Sequence, residues 1–234
     1  MAKIVGYIAA SLDGFIADES DKLDWLFKYD GMDLGEHDYR IFVKGIRTIV
    51  MGRGTYDFIA KEPAPWAYGE QRVIVVTSRP IENPKGTLET RDNVEELIAE
   101  LRGLDDGDVW MLGGGMLQMA FMERGALEEI EIYIIPELLG GGRPLFPSTG
   151  FRSSPELVSA KTLDKGCVRL HYRLPPNPRP LSPSGAKATS RPCGIRPQSG
   201  RDARAAYRST KYHLGVFALK GHEPPAISLN SVRG

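Results

Sequence analysis

Two glycine-rich turns carry the residues of this sequence best suited to binding a charged ligand. Residues 52–55 (Gly-Arg-Gly-Thr) and 113–115 (three glycines) each follow an apolar, strand-like run and precede a helix-like segment. Exposed backbone N–H groups at a helix start, together with the helix dipole, form an anion site, and glycine lets a phosphate approach the main chain closely. Arg53 adds a guanidinium whose forked N–H groups match phosphate oxygens. The pattern predicts a phosphate-binding site.

A third turn, Thr77-Ser78-Arg79, follows another strand-like run and offers two hydroxyls and a further guanidinium. Ligands of parallel sheets gather at the carboxyl ends of the strands, so three such turns can converge on one ligand. A ligand with several phosphates fits this arrangement, and a dinucleotide is one candidate. Each turn taken alone is also typical of a tight turn or a solvated surface charge, and neither a G-x-G-x-x-G sequence nor a P-loop is present.

The segments that would position these turns alternate between strand-like and helix-like patterns. Apolar runs rich in β-branched residues predict strands at residues 3–10, 48–51, 72–77, 109–112 and 130–135. Apolar spacing and end signals predict helices at residues 38–45, 55–61, 93–102 and 116–124. The third of these helices begins with a capping box formed by Asn93 and Glu96. The alternation predicts an α/β fold with a mostly parallel sheet.

The end of this region is predicted to be an antiparallel hairpin at the edge of the sheet. Residues 157–163 and 167–174 flank residues 164–166 (Asp-Lys-Gly), a turn in which the glycine can take a positive φ. In the second arm Val168, Leu170 and Tyr172 alternate with more polar residues. The alternation predicts a strand whose apolar side is the buried one.

The composition is that of a globular domain, with 41% hydrophobic and 26% charged residues in a chain of 234. No apolar run approaches the ~20 residues of a membrane-spanning helix. The N-terminus lacks the basic region and apolar core of a secretory signal, and Cys167 and Cys193 have no metal-ligand spacing. We therefore expect a cytoplasmic protein without a metal site.

A shift in charge and proline content marks a boundary near Leu174. Residues 175–234 carry ten Lys and Arg against two Asp and Glu, and nine of the seventeen prolines. The expected organisation is a domain at residues 1–174 followed by a basic Pro/Ser/Arg-rich tail that is disordered or non-native. Such a tail could bind nucleic acid electrostatically, which is an alternative that rests on the tail alone.

Three segments of the domain resemble dihydrofolate reductases. Residues 49–56 (Ile-Val-Met-Gly-Arg-Gly-Thr-Tyr) look like their Met-Gly-Arg-x-Thr-aromatic segment. Residues 73–80 resemble their next strand, which ends in hydroxyl residues, and residues 109–115 resemble the strand leading into their Gly-Gly pair. The order and intervals match across residues 1–174. The resemblance implies the three-layer fold of the dihydrofolate reductase superfamily, with a central mostly parallel sheet.

Two other segments resemble a narrower group, the reductase domain of bacterial riboflavin-biosynthesis deaminase–reductases. These are residues 11–17 (Ser-Leu-Asp-Gly-Phe-Ile-Ala) and residues 136–146 (Pro-Glu-Leu-Leu-Gly-Gly-Gly onward). Ile135 stands where dihydrofolate reductases have a threonine for the pterin, and residues 142–144 replace their Gly-Asp-Thr. No deaminase zinc motif precedes the domain, so the chain resembles the stand-alone members of this group.

The resemblance implies NADPH as cofactor. Arg53 and Ser78 would contact the phosphates of its adenosine half, with Arg79 as a weaker addition, and Ala9 and Ile16 would line the nicotinamide. Thr55 and the three glycines would hold the pyrophosphate, with a cis peptide expected between the first two glycines. The full set expected at the cofactor is Ala9, Ile16, Gly52, Arg53, Thr55, Thr77, Ser78, Arg79, Gly113, Gly114 and Gly115.

Two carboxylates compete as the proton donor. Asp24 resembles the acidic residue on the first helix of dihydrofolate reductases, and Trp25 beside it offers a flat apolar face to a substrate. Asp13 lies in the turn next to the expected nicotinamide. Asp24 is the preferred catalytic residue and Asp13 the second candidate, while either can be structural, as a helix-start residue or as a turn former.

The expected function is NADPH-dependent reduction of a small heterocycle by hydride transfer, with a proton delivered by a carboxylate. The close alternative is 5-amino-6-(5-phosphoribosylamino)uracil reductase of riboflavin biosynthesis, whose substrate carries a ribose phosphate. A nucleotide-binding module without turnover is another. Stand-alone relatives are typically dimeric, so we expect a homodimer with no membrane partner, and nucleic acid is not an expected ligand of the domain.

Overall fold

The computed structural model of the protein describes residues 2–176. Its described strands are β1 (Ile4–Ser11), β2 (Phe15–Ala17), β3 (Ile46–Gly52), β4 (Arg72–Val76), β5 (Glu89–Arg91), β6 (Asp108–Gly113), β7 (Glu129–Ile135), β8 (Arg143–Pro144), β9 (Glu156–Thr162) and β10 (Val168–Arg173). Its described α-helices are α1 (Tyr39–Phe42), α2 (Arg53–Lys61), α3 (Val94–Arg102) and α4 (Gly115–Glu123). Short 3-10 helices cover Asp24–Tyr29, Gly35–His37, Val43–Gly45 and Asp164–Gly166.

Eight of the described strands form one sheet in the order β5-β4-β3-β6-β1-β7-β10-β9, and β2 pairs with β8 in a separate two-stranded sheet. The strands from β5 to β7 in this order pair in parallel, whereas β10 pairs antiparallel with both β7 and β9. This confirms the expected α/β fold with a mostly parallel sheet and a C-terminal antiparallel hairpin.

Apolar layers cover both faces of the sheet. Successive side chains of a strand point to opposite faces, so β1 sends Tyr7 into one layer and Ile4 and Ala10 into the other. The Tyr7 layer packs under the chain between β2 and β3 and is rich in aromatic rings, including Trp110. The second layer packs under α3 and α4. The result is the expected three-layer arrangement.

The local end signals act as expected at α3 and α4. The Asn93 side chain accepts hydrogen bonds from the backbone N–H groups of Glu95 and Glu96 at 3.0 and 3.2 Å, and donates one to the Glu96 carboxylate at 2.8 Å. Gly125 follows α4 with a φ of +58°, which glycine adopts without a Cβ clash. These contacts confirm Asn93 as the helix cap and Gly125 as the C-terminal glycine, although Glu96 accepts from the side-chain amide of Asn93 rather than from its backbone N–H.

The expected helix at residues 38–45 is shorter in the structure. Only Tyr39–Phe42 forms an α-helical turn, begun by the Asp38 side chain, and Val43–Gly45 continues as a 3-10 helix before β3. Tyr39 holds this turn in the aromatic layer against Trp110, and the chain reaches the first residue of β3, Ile46, directly after Gly45, which leaves no room for a longer helix. The short strands β2, β5 and β8 were not apparent in the sequence pattern.

The prediction that only the apolar side of β10 is buried is wrong, because its polar side is also covered. Arg169 on the polar side is only 4% exposed, whereas Val168 and Leu170 on the apolar side are half-buried. The Arg169 guanidinium donates to both carboxylate oxygens of Glu131 on β7, at 2.7 and 2.5 Å, and to the Ser159 hydroxyl on β9 at 3.0 Å. A charge can be buried here because its hydrogen-bond partners come from both neighbouring strands.

Among residues 2–176, no helix combines the length and the apolar character needed to cross a bilayer. Leu174 is buried, and its N–H donates to the carbonyl of Glu128, so the last strand is fixed through this residue. The tail expected at residues 175–234 lies outside the described residues, apart from Pro175 and Pro176. The boundary itself stays a prediction.

Truncation after Leu174 is expected to leave a folded domain, since the ladder of the last strand is complete before the two prolines, which have no N–H to extend it. The measurement is a thermal melt of the shortened and the full chain. A loss of cooperative unfolding in the shortened chain would show that the tail is part of the domain.

Candidate cofactor and substrate site

The three predicted turns follow β3, β4 and β6 at one edge of the sheet, where β1 and β7 also have their carboxyl ends. These strands are parallel neighbours, so their following turns emerge side by side. Met51 of β3 pairs with Gly113 of β6, which brings the two glycine-rich turns together. The structure therefore places the three predicted turns at a common edge.

The two glycine turns contact one another through Thr55. The backbone N–H of Gly114 donates to the Thr55 Oγ1 atom at 3.0 Å. Neither α2 nor α4 has a side-chain cap at its start, so no side chain of the described region satisfies their first N–H groups in the manner of a cap. A pyrophosphate suits this pair of helix starts, because its charge complements both dipoles and the Thr55 hydroxyl retains its own proton to donate.

Two positions of the second turn require glycine, each for a different structural reason. Gly113 has a φ of +150°, which only glycine adopts readily, and the bond to Gly114 is trans rather than the expected cis. A Cβ added to Gly115 would lie 2.8 Å from the carbonyl oxygen of Pro144, so the end of β8 packs directly on the start of α4.

Arg53 is at the expected place, the first residue of α2, but its guanidinium already has partners. Its Nε donates to Asp57 at 2.7 Å, and its Nη1 donates to the carbonyls of Arg79 and Pro80 at 3.3 and 3.1 Å. These bonds use three of its five N–H donors and tie α2 to the turn after β4. Arg53 therefore fixes the position of that turn as well as offering charge to a ligand.

The third turn is organised by its own hydroxyl. Thr77 Oγ1 lies 3.1 Å from both the N–H and the carbonyl oxygen of Arg79, and the Thr77 N–H donates to Arg91 on β5. Ser78 and Arg79 are exposed beside Arg53. The turn thus presents a serine hydroxyl and a second guanidinium at the outer end of the site.

Ala9 and Ile16 pack on different apolar layers, Ala9 on the aromatic layer and Ile16 on the layer under α3 and α4. Ala9 is half-buried near the end of β1, and Ile16 is half-buried in β2. The β2 strand pairs with β8, and Leu145 donates to the carbonyl of Gly14, so the segment carrying Ile16 is held against the residues that cover Gly115.

Asp13 holds two loops together. Its carboxylate accepts hydrogen bonds from the Ser11 hydroxyl at 2.6 Å and from the N–H groups of Leu139 and Gly140 at 3.0 and 2.7 Å. The Ser11 oxygen in turn accepts from Phe15 N–H. The hydrogen bond from Ser11, helped by those from the two loop amides, holds the pKa of the Asp13 carboxyl below its ordinary value. This environment suits an ionised carboxylate that anchors a turn rather than an acid that gives up a proton.

Asp24 has a different environment. It is the exposed first residue of the 3-10 helix Asp24–Tyr29, and no hydrogen bond or ion pair joins its carboxylate to another described residue. Leu26 and Tyr29 bury the other side of this helix in the aromatic layer. Trp25 is half-buried, and its indole N–H has no partner among the described residues. The Asp24 carboxylate is therefore open to a ligand, whereas the Trp25 indole N–H is buried without a partner among the described residues.

A polar cluster beside this helix was not foreseen from the sequence. The Tyr29 hydroxyl donates to Glu137, which follows β7 and also pairs with Lys28. Burial, together with the hydrogen bond to Glu137, raises the pKa of Tyr29 to about 12. Hydrogen bonds from Lys28, and to a smaller extent from Tyr29, lower the pKa of Glu137. The cluster fixes the helix of Asp24 to the carboxyl edge of the sheet. Tyr29 and Glu137 are 108 residues apart, so no local pattern could reveal the cluster.

The sequence of the chain matches a known protein family and two relatives. The model described as the RibD C-terminal domain matches residues 2–169. YwjB and YyaP of Bacillus subtilis (strain 168), both described as uncharacterized, are 31% and 30% identical over 171 and 183 residues. Each alignment covers 73% of this chain, and 97% and 94% of the respective relatives.

Solved structures agree with this match. A candidate riboflavin biosynthesis protein from Shewanella sp. PV-4 is 28% identical with a TM-score of 0.65, covering 75% of this chain and 99% of its own. RibD of Acinetobacter baumannii is 18% identical with a TM-score of 0.54, over 75% of this chain and 58% of that protein. Dihydrofolate reductase from Enterococcus faecalis, complexed with NADP(H), is 18% identical with a TM-score of 0.50. The alignment covers 74% of this chain and 96% of that protein. The last two show the fold alone.

The family model and the relative from Shewanella sp. PV-4 confirm the resemblance to the RibD C-terminal domain, and the two structures with 18% identity confirm the expected dihydrofolate-reductase-like fold. The family model spans most of the domain, and the YwjB relative is 31% identical over nearly its whole length. The chain belongs to the RibD C-terminal domain family.

Proposed function

We propose that the protein is an NADPH-dependent reductase of a small heterocyclic substrate. The observation that carries the proposal is the pair of helix starts without side-chain caps, joined by the bond between Thr55 and Gly114. Two adjacent N-terminal dipoles at neighbouring strand ends match the two phosphates of a dinucleotide.

NADPH, when bound, supplies the hydride, and the chain supplies binding, orientation and a proton. The turns at Thr55 and Gly114 would hold the pyrophosphate, and Arg53 and Ser78 would hold the adenosine phosphate. Ala9 and Ile16 would border the nicotinamide. Trp25 would give a flat apolar surface to the substrate ring, which also excludes water from it.

Asp24 is the proposed proton donor to the reduced ring. Reduction of a ring C=N or C=O leaves a nitrogen or oxygen that requires a proton, and a positioned carboxyl group can provide it. Asp24 fits this role better than Asp13, because the Asp13 carboxylate accepts from three donors and Asp24 has no such partners among residues 2–176.

The test is NADPH oxidation measured across a panel of pterins, aminopyrimidines and quinones. We expect turnover with at least one ring class and none without substrate. NADPH binding without turnover on any ring class would instead favour a nucleotide-binding module. Absence of NADPH binding would contradict the proposal altogether.

The reductase step of riboflavin biosynthesis is the second candidate, favoured by the family match and by the relative from Shewanella sp. PV-4. Its substrate is an aminopyrimidine with a ribose phosphate. Including that aminopyrimidine with and without the phosphate in the panel separates the two proposals, since only the biosynthetic enzyme should require the phosphate.

Arg53→Ala is expected to weaken NADPH binding more than NADH binding. A hydrogen bond to a charged group contributes ~1.5–3 kcal/mol, so the difference between the two cofactors should change by about ten- to a hundredfold. Loss of the bonds to Arg79 and Pro80 would affect both cofactors alike, so the difference isolates the phosphate contact. Asp57→Asn is the matched control, because it removes the carboxylate partner and keeps the guanidinium. Equal losses in titrations of NADPH and NADH would exclude Arg53 from phosphate selection.

We also propose that the protein is a homodimer. The described edge strand β9 exposes Leu157 and Val158 by 52% and 41%, and an exposed apolar edge strand is a ready pairing surface. Light scattering should give twice the mass of one chain. A single-chain mass that does not change with concentration would contradict this.

A further inference from the structure

Gln118 has a buried amide that the protein itself does not satisfy. Its exposed fraction is 1%, and its Nε2 has no hydrogen-bond partner among the described residues. The backbone N–H of Gln118 donates to the carbonyl of Gly114, so the helix accounts for the main chain but not for the side chain. A buried donor without a partner is destabilising, which indicates that something else provides the acceptor.

The position of Gln118 on α4 directs its side chain to the carboxyl edge of the sheet. Leu117 marks the side of the helix that faces β3. A Cβ added to Gly52 on β3 would lie 3.9 Å from the Cβ of Leu117. On another side, Gly115 packs against Pro144. At about 100° per residue, Gln118 falls between these two directions, and long helical side chains lean toward the helix start. Gln118 is therefore on the side of α4 that lies between the contact with β3 and the contact with β8.

The neighbourhood of this amide joins the two halves of the proposed site. The glycine turn, which begins α4, follows β6, and β6 pairs with β1, which carries Ala9. Pro144 belongs to β8, which pairs with β2, the strand that carries Ile16. Gln118 thus belongs to the helix that begins at the turn proposed for the pyrophosphate, and the start of that helix packs against β8, the partner of the strand that carries Ile16.

We infer that Gln118 is a binding residue whose Nε2 donates a hydrogen bond to a carbonyl-type oxygen on a planar ring bound at this edge. The inference rests on the proposed function. A nicotinamide presents such an oxygen on its carboxamide, and a reducible pyrimidine or pterin presents one on its ring. A neutral donor, already enclosed, recognises such an oxygen without desolvating a charge at the moment of binding.

The test compares Gln118→Met with the wild-type full-length chain. Methionine keeps the length of the side chain and removes the donor. Met122→Leu is the matched control, because Met122 lies four residues along the same helix, is 8% exposed, and has no donor to lose. The probes are NADP⁺ and 2′-phospho-ADP-ribose, which share every group except the nicotinamide, and binding is measured by calorimetric titration.

We expect Gln118→Met to weaken NADP⁺ by about three- to tenfold, as for a neutral hydrogen bond, and to leave 2′-phospho-ADP-ribose unchanged. The melting temperature without ligand should equal or exceed that of the wild type, since an unsatisfied donor has been removed. If NADP⁺ binding is unchanged and the KM of the substrate rises by a similar factor, the acceptor is on the substrate ring. Both results support the inference.

Unchanged affinity for both probes together with an unchanged KM would overturn the inference. The partner of the Gln118 donor would then be a buried water molecule. Equal losses for both probes would also overturn it, because the ring would not be the partner. Failure of the wild-type protein to bind NADP⁺ is a different outcome, which contradicts the proposed function and removes this inference with it. The wild-type titration therefore separates failure of the inference from failure of the proposed function.

Discussion

Asp24→Asn is expected to turn over about a hundredfold to ten-thousandfold more slowly than the wild type, with little change in NADPH affinity. A positioned general acid contributes on this scale. Asparagine keeps the size of the side chain but has no acidic proton, so the chemical step alone should suffer. The Asp24 side chain has no partner among residues 2–176, so its substitution should leave the fold intact. The measurements are kcat with a saturating substrate and a separate NADPH titration.

Asp13→Asn is the control for this experiment. The Asp13 carboxylate holds the amides of Leu139 and Gly140, so its substitution should lower the melting temperature. Any loss of rate should follow from loosening of the turn. Normal turnover of Asp24→Asn with a large loss in a still-folded Asp13→Asn would show that Asp13 is the acid. If neither substitution changes kcat, water delivers the proton.

Arg169→Met is expected to lower the free energy of unfolding by about 3 kcal/mol, at the lower end of the 3–5 kcal/mol typical of breaking a buried ion pair. The lower end applies because the Glu131 side chain remains 23% exposed while that of Arg169 is 5% exposed. For a domain of this size, that loss corresponds to about 6–12 °C in melting temperature. Denaturant unfolding and a thermal melt measure both quantities.

The double variant Arg169→Met with Glu131→Gln should recover part of this loss, since no unpaired charge remains buried. Burial disfavours the charged form of Glu131, but its hydrogen bonds and charge pairing with Arg169 outweigh burial and leave its pKa below the ordinary value. A carboxyl group with a lowered pKa stabilises the fold above the unfolded value of about 4.3 and loses this effect as the pH falls through the folded value. The difference between wild type and Arg169→Met should therefore shrink in acid. A difference that does not change down to pH 2 would contradict the pairing.

The sequence by itself determined the features that depend on neighbouring residues. Strand and helix order follows from local apolar periodicity, and the start of α3 follows from Asn93 and Glu96, which are three residues apart. The two glycine turns could be identified because each lies between a strand and a helix in the chain. Their meeting at one edge follows from the parallel pairing that this alternation predicts.

Only the tertiary structure decided the features that depend on distant partners. Asp13 and Asp24 are equivalent as carboxylates in the sequence, and they differ because loop residues 126 and 127 positions away bind Asp13. Arg169 stands at a polar position in the alternating pattern of β10, which is typical of a surface residue. It is nevertheless buried, because Glu131, 38 residues earlier, lies beside it in the sheet. Gln118 looks like an ordinary helix residue in the sequence, and only the folded chain leaves it 1% exposed with an unpartnered amide nitrogen among the described residues. The physical reason is that burial and pairing are set by which strands become neighbours, and that order is a property of the whole sheet rather than of any local segment.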